Sequence, residues 1–253
     1  MQILTFHNTE RFAEAAKSLR QTLEVWGWQD RLIQSTELPP GCPPHAESPF
    51  AFKPWLIEQC RKLGVDQLLW ADSSIRFMQS PLWIERELKR TGILMIEDSD
   101  QFLRWWSSDR SLDHFGIERR SLGDRRCALA GLIGFDLRRP KALEFLHAWL
   151  ETERKGLFQG KWSNEDLSVS SDPEVKGHRH DQTLATLVAW NLGIEMIPHH
   201  DAGVFSWSDH AMHCDSARII VDRSGSCPQV MRLIAKLPRQ RVSSISMSET
   251  LEA

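Results

Sequence analysis

Short apolar runs alternate with helical periodicities over the first two hundred residues. Ile3-Leu4-Thr5-Phe6 has the length of a buried strand. Asn8 or Thr9 can cap the segment after it, where Phe12, Ala15, Ala16, Leu19 and Leu23 recur at the spacing of one helical face. The same pattern returns twice. Pro54 opens a helix with Leu56, Cys60 and Leu63 on one face, followed by the run Gln67-Leu68-Leu69-Trp70-Ala71; Pro81 opens another, followed by Ile93-Leu94-Met95-Ile96. Gly27, Gly64, Gly92, Gly156 and Gly193 stand where five helices should stop, as residues that enter the left-handed region at little cost. Helices alternating with short apolar strands predict an α/β fold whose central sheet is mostly parallel and flanked by helices, as one domain over residues 1–222.

Less regular stretches interrupt this pattern. Residues 37–49 are proline-rich, while 98–126 and 161–176 are polar insertions of the length and character that cover a site. Trp105-Trp106 gives the first insertion a hydrophobic anchor of its own. Residues 223–253 form a C-terminal segment whose serine-rich end, from Arg239, is expected to be poorly ordered.

Composition removes several classes of function. The 253 residues carry 31 Lys+Arg and 34 Asp+Glu, a formal charge of −3, and the basic residues fall in pairs rather than on one stripe, so nucleic acid is not an expected partner. Five cysteines without a CxxC pair predict reduced thiols rather than a disulfide framework or a thiolate metal site. No apolar run reaches transmembrane length and the N-terminus lacks the features of a signal peptide, so a cytoplasmic protein is expected, with peripheral membrane association left open. Eleven Trp and no Tyr mean that any aromatic platform is Trp, Phe or His.

The chemistry concentrates in three short stretches. Strand 67–71 ends in Asp72-Ser73-Ser74, which places a carboxylate at the carboxyl edge of a parallel sheet, where open α/β folds bind ligands. Lys53 precedes the proline of a helix start, beside backbone N–H groups that favour anions. Lys53 with Asp72 suits a charged ligand such as a diphosphate; the plainer alternative is a turn-capping Asp and a solvated Lys. Gly131 and Gly134 lie in a further apolar strand, and His178-Arg179-His180-Asp181-Gln182 opens a further helix, where Asp181 also suits the helix dipole.

Taken together, these stretches resemble the GT-A fold nucleotide-sugar glycosyltransferases, in which a strand ends in an Asp-x-Asp motif that holds Mn²⁺ or Mg²⁺ against the donor diphosphate. The resemblance covers roughly residues 1–200. It implies a nucleotide-sugar donor, a glycan or lipid-linked acceptor, and a donor site built from His7, Asn8, Lys53, Asp72, Ser73, Ser74, Gly131 and Gln182. It further implies a catalytic Asp181 and a metal held by Asp72, Ser74 and a late histidine, His200. In this chain the second carboxylate of the motif is Ser74, which leaves metal dependence open.

Two other readings stay open. One is a non-catalytic module that binds a sugar nucleotide or glycan through a degenerate motif. The other is a metal-dependent hydrolase using His178, His180 and Asp181 or His199, His200 and Asp201, although neither group completes a known ligand signature. Trp105, Trp106, Trp162 and Trp207 fall in the irregular stretches and are candidates for stacking on a sugar or base.

Overall fold

The computed structural model describes residues 1–206, 217–222 and 228–236. In chain order the first half contains β1 (Gln2–Phe6), α1 (Glu10–Val25), β2 (Leu32–Ser35), α2 (Phe52–Lys62), β3 (Gln67–Ala71), β4 (Ile75–Phe77), α3 (Leu82–Thr91) and β5 (Ile93–Leu94). There follow β6 (Glu97–Phe102), α4 (Leu103–Trp106), α5 (Asp109–Phe115), β7 (Arg126–Ala128), β8 (Leu132–Asp136), α6 (Pro140–Arg154), α7 (His180–Asn191), β9 (Val204–Ser206), β10 (Ile219–Val221) and α8 (Pro228–Ala235).

The main sheet has five strands in the order β2-β1-β3-β8-β5. β1 is parallel to both of its neighbours, whereas β8 runs antiparallel to β3 and to β5, so it alone is reversed. All five residues of β3 are buried because helices cover both faces. Leu68 and Trp70 point into a core shared with Leu56, Phe145 and Trp149, while Leu69 and Ala71 point into one shared with Leu19, Ile84 and Leu88. This alternation is the two-residue period of a strand.

The local signals act where the sequence placed them. Thr9 caps α1, its side chain accepting from the Phe12 amide at 3.4 Å, and all five terminator glycines have positive φ. Gly92 closes α3 at φ 83°, with its amide on Leu88 O at 2.9 Å. Gly134 has a packing role: a methyl group there would come within 3.0 Å of Leu88 Cδ2 and 3.2 Å of Leu94 Cβ.

The stretch 98–126 is more ordered than its composition suggested. It folds as a β6–β7 antiparallel ribbon enclosing α4, α5 and a short 3₁₀ turn, and its Leu103, Leu112 and Leu122 enter the main core rather than a separate anchor. One leucine per short element is too sparse to register as periodicity. Stretch 161–176 has no helix or strand and is organised by the buried Asn164. Its side-chain amide donates to the carbonyls of Ser170 and Asp172, and its side-chain oxygen accepts from the amides of Val169 and Ser170. Beyond residue 222, α8 packs Val230 and Ile234 into a small third cluster. Trp207, His210, His213, Cys214, Cys227 and the serine-rich end lie outside the described residues.

A second sheet, β4-β10-β9, buttresses the carboxyl end of β3. The chain leaves β3 through Asp72-Ser73-Ser74 and enters β4 in this second sheet, so the triplet bridges the two. Arg76, fully buried in β4, donates to Ser73 O at 2.5 Å and to Ile75 O at 2.8 Å, and its guanidinium lies 3.7 Å from the Asp222 carboxylate. The Asp222 amide donates to Ser74 O at 2.8 Å. Among the described residues, no helix is long and apolar enough to cross a membrane.

Candidate functional site

At the carboxyl edge of β3, three distant segments meet on one ammonium group. Lys53, at the start of α2, is 4% exposed, and its Nζ lies 2.8 Å from Asp181 Oδ2, 3.1 Å from Ala130 O, and 3.3 and 3.4 Å from the two oxygens of Asp72. The rings of Phe50 and Trp70 stand 5.2 and 5.8 Å from it. The plainer alternative of a solvated lysine is not what the structure shows; Lys53 is buried and turned toward carboxylates, because an unpaired buried ammonium is costly. Burial opposes its charge, but Asp181 and Asp72 outweigh that and raise the Lys53 pKa above its ordinary value.

Asp181, in the first turn of α7, is as deeply buried as the lysine. Burial pushes its carboxyl up to about 6 against the pull of Lys53, so at neutral pH the pair is ionised on both sides. Asp72 is more open, with about a third of its side chain exposed. Its Oδ1 accepts from Trp70 Nε1 at 2.7 Å, and its amide donates to Gly131 O at 2.8 Å. Gly131 lies in the turn just before β8 rather than in the strand, and a methyl group there would stand 3.0 Å from Asp72 Oδ2, so the backbone approaches the carboxylate closely.

Lys53, Asp72, Ser74, Gly131, Asp181 and Gln182 line one cavity of about 310 Å³. The structure thus brings together six of the residues singled out in the sequence. Gln182 Nε2 donates to Asp98 Oδ2 at 3.2 Å and to Ala128 O at 2.9 Å. Asp98, Gln101, Arg179, Phe12 and Phe50 line the same cavity and were not anticipated. Arg179 stood beside Asp181 in a motif already under consideration, but Asp98 and Gln101 sit in the polar run of β6, which carries no signal of a site. Trp162, a candidate for stacking in the sequence, lines the cavity and is nearly half exposed. Arg179 lies over Trp106 at 3.9 Å and over Trp162 at 5.0 Å.

Other expected residues lie elsewhere. The His7 amide extends the β1–β2 ladder to Ser35 O, Asn8 is exposed, and neither lines the cavity; Phe12 lines it from that side. Ser73 is buried with its carbonyl on Arg76. His200 is exposed, beside Asp201 at 3.2 Å and outside the cavity lining. Trp105 lines a separate surface depression with Arg104, Arg119 and Asp172, where Arg104 pairs with Asp124, and Arg119 with Asp109 and Asp172.

Of the histidine clusters, His178 and His180 are buried and bonded to backbone carbonyls. His178 Nε2 meets Leu157 O at 2.9 Å and His180 Nδ1 meets Phe158 O at 2.7 Å. Burial is the main cause that lowers them to about 3 and about 4, so both are neutral. Among the described residues, no three His, Cys, Asp or Glu side chains are grouped as metal ligands.

The metal-binding motif implied by the resemblance does not fit these residues. Its second carboxylate is Ser74, His200 is outside the cavity, and both oxygens of Asp72 already face the Lys53 ammonium. A divalent ion needs several oxygen ligands, with anionic charge to match its own. Of the three carboxylates lining the cavity, Asp72 and Asp181 already share the Lys53 ammonium, and the buried Asp98 accepts from Gln182.

No family model matches the chain, and no curated protein is significantly similar to it in sequence. Solved structures are similar in fold. A glycosyltransferase involved in the glycosylation of the major capsid of PBCV-1 aligns with a TM-score of 0.51 and 13% identity, over 93% of this chain and 98% of that one. The apo form of mouse Xyloside xylosyltransferase 1 aligns at 0.48 with 10% identity, over 88% and 97%. The chain has a GT-A-like α/β fold.

Proposed function

We propose that this protein is a glycosyltransferase that moves a sugar from a nucleoside-diphosphate donor to a glycan or lipid-linked acceptor. The observation that carries the reading is the convergence of Lys53, Asp72, Gly131 and Asp181, from four separate segments, on one cavity at the carboxyl edge of β3. This is the ligand edge of an open α/β sheet. Arg179 provides fixed positive charge for the diphosphate that departs when the sugar–oxygen bond breaks, while Lys53 offsets the carboxylates of Asp72 and Asp181 that would otherwise repel it, and a preorganised charge stabilises it without reorganisation. Asp181, ionised at neutral pH but with its pKa near 6, takes the proton of the acceptor hydroxyl as that oxygen attacks the sugar carbon. Asp72 holds hydroxyls of the donor, and Trp162 with Phe50 presents faces on which a sugar or base stacks.

The reading is tested by nucleoside diphosphates in thermal denaturation. UDP, GDP, ADP, CDP and TDP are each added to wild type and to Asp72→Ala; at least one is expected to raise the wild-type melting temperature, and the variant to lose that shift. Asp72 is partly exposed and Lys53 keeps Asp181, so the variant itself is expected to be destabilised by no more than about 1–2 kcal/mol. No stabilisation by any nucleotide would remove the donor site. Gly131→Ala gives a finer check. Its methyl group must push Asp72 aside by a few tenths of an ångström, and nucleotide affinity measured by calorimetry is expected to fall roughly tenfold.

A further inference from the structure

The arrangement around Lys53 has a consequence for the cation of the donor site, resting on the reading above. An ammonium has three protons, and Lys53 faces three acceptor groups, the Asp181 carboxylate, the Asp72 carboxylate and the Ala130 carbonyl, with four oxygens between 2.8 and 3.4 Å. Its side chain is 5% exposed. This is a buried cation coordinated by oxygens from three segments, placed between the two carboxylates that a divalent ion would otherwise join.

We propose that the Lys53 ammonium takes the place of a divalent metal ion between Asp72 and Asp181, holding the two carboxylates together and offsetting their charge while Arg179 faces the donor diphosphate, so that nucleotide binding needs no metal. A metal ion approaching Asp72 would meet this ammonium within 3.4 Å of both carboxylate oxygens, and like charges in a half-buried site repel strongly. Ser74 contributes a neutral oxygen only. Arg179, held between the rings of Trp106 and Trp162 on the same cavity, adds a second fixed charge that an enzyme relying on a metal for all of its positive charge would not require.

Calorimetric titration of the same five nucleoside diphosphates, once with EDTA and once with Mn²⁺, tests this on the wild-type chain. The dissociation constant of the best binder is expected to agree within about threefold between the two conditions. Lys53→Met is expected to weaken binding in EDTA at least tenfold, with Lys53→Arg, which keeps the charge, as the folded control that retains EDTA-resistant binding. Electron paramagnetic resonance with Mn²⁺ alone is expected to show no ion held by wild type, and an ion held by Lys53→Met, in which the two carboxylates are released. Wild-type binding that requires Mn²⁺, or a Lys53→Met protein that binds in EDTA as tightly as wild type, would overturn the inference while leaving the donor site standing. Absence of binding in both conditions would instead remove the donor site itself.

Discussion

Replacing Asp181 by Asn is expected to lower sugar transfer, or donor hydrolysis in the absence of an acceptor, by roughly 10²- to 10⁴-fold, the range of a positioned general base. The amide keeps the size of the side chain and an oxygen toward Lys53, so the cavity is retained and the ability to accept a proton is lost. Wild-type activity is expected to rise with pH through about 6, as the buried carboxyl ionises, and the variant to show no such limb. A second readout needs no substrate. The pKa of Asp181 is raised from 3.8 in an exposed chain to about 6, so between these values the folded state binds more protons than the unfolded one. Stability must therefore fall as pH rises from about 4 to about 6 and level off above. Asp136, lowered to about 2 chiefly by its hydrogen bonds from Arg138, acts in the opposite sense and at lower pH. The difference between wild type and Asp181→Asn in denaturant melts isolates the slope; equal slopes in the two proteins would show that Asp181 is ionised like any surface carboxylate.

Arg76→Met is expected to have the largest effect on stability, a loss of about 3–5 kcal/mol, because removing one partner of a buried ion pair leaves the other uncompensated. Arg76 and Asp222 are both fully buried. Burial lowers the Arg76 guanidinium to about 10, which still leaves it charged at neutral pH. For a chain of this size the melting temperature is expected to drop by roughly ten degrees. The same change frees the carbonyl of Ser73 and loosens the connection from the Asp72-Ser73-Ser74 triplet to β10, so nucleotide binding is expected to weaken as well. Arg76→Lys retains the charge with fewer donors and should fall between the two. A loss below about 1 kcal/mol would mean that the pair is solvated and that the triplet is held by other contacts.

The parts of this structure that were legible in the sequence are those set by local chemistry. Helix ends were marked by glycines, strand β3 by its unbroken apolar run, and the carboxyl edge by the Asp that follows it. Lys53 and Asp72 were read as one site and the resemblance grouped Gly131 with them, but the direct 2.8 Å pair between Lys53 and Asp181 could not be read, because it joins residues about half the chain apart. The reversed direction of β8 was invisible, since a buried strand reads the same either way. Phe12 has helical spacing with the core residues of α1, yet it is half exposed and lines the cavity; periodicity identifies a face without saying where that face ends. Asp98 and Gln101 belong to a short polar ribbon whose position depends on leucines further along the chain, and no local rule could have placed them. His7 and Asn8 came from the resemblance, His200 from the resemblance and from the histidine cluster around it, and the geometry does not bring them to the cavity.

The most direct test of transferase function is chromatographic analysis after incubating the protein with a panel of sugar nucleotides, with and without simple glycan acceptors. At least one donor is expected to be converted to free nucleoside diphosphate and a transferred or hydrolysed sugar, with conversion lost in Asp181→Asn; recovery of every donor unchanged under all conditions would contradict it.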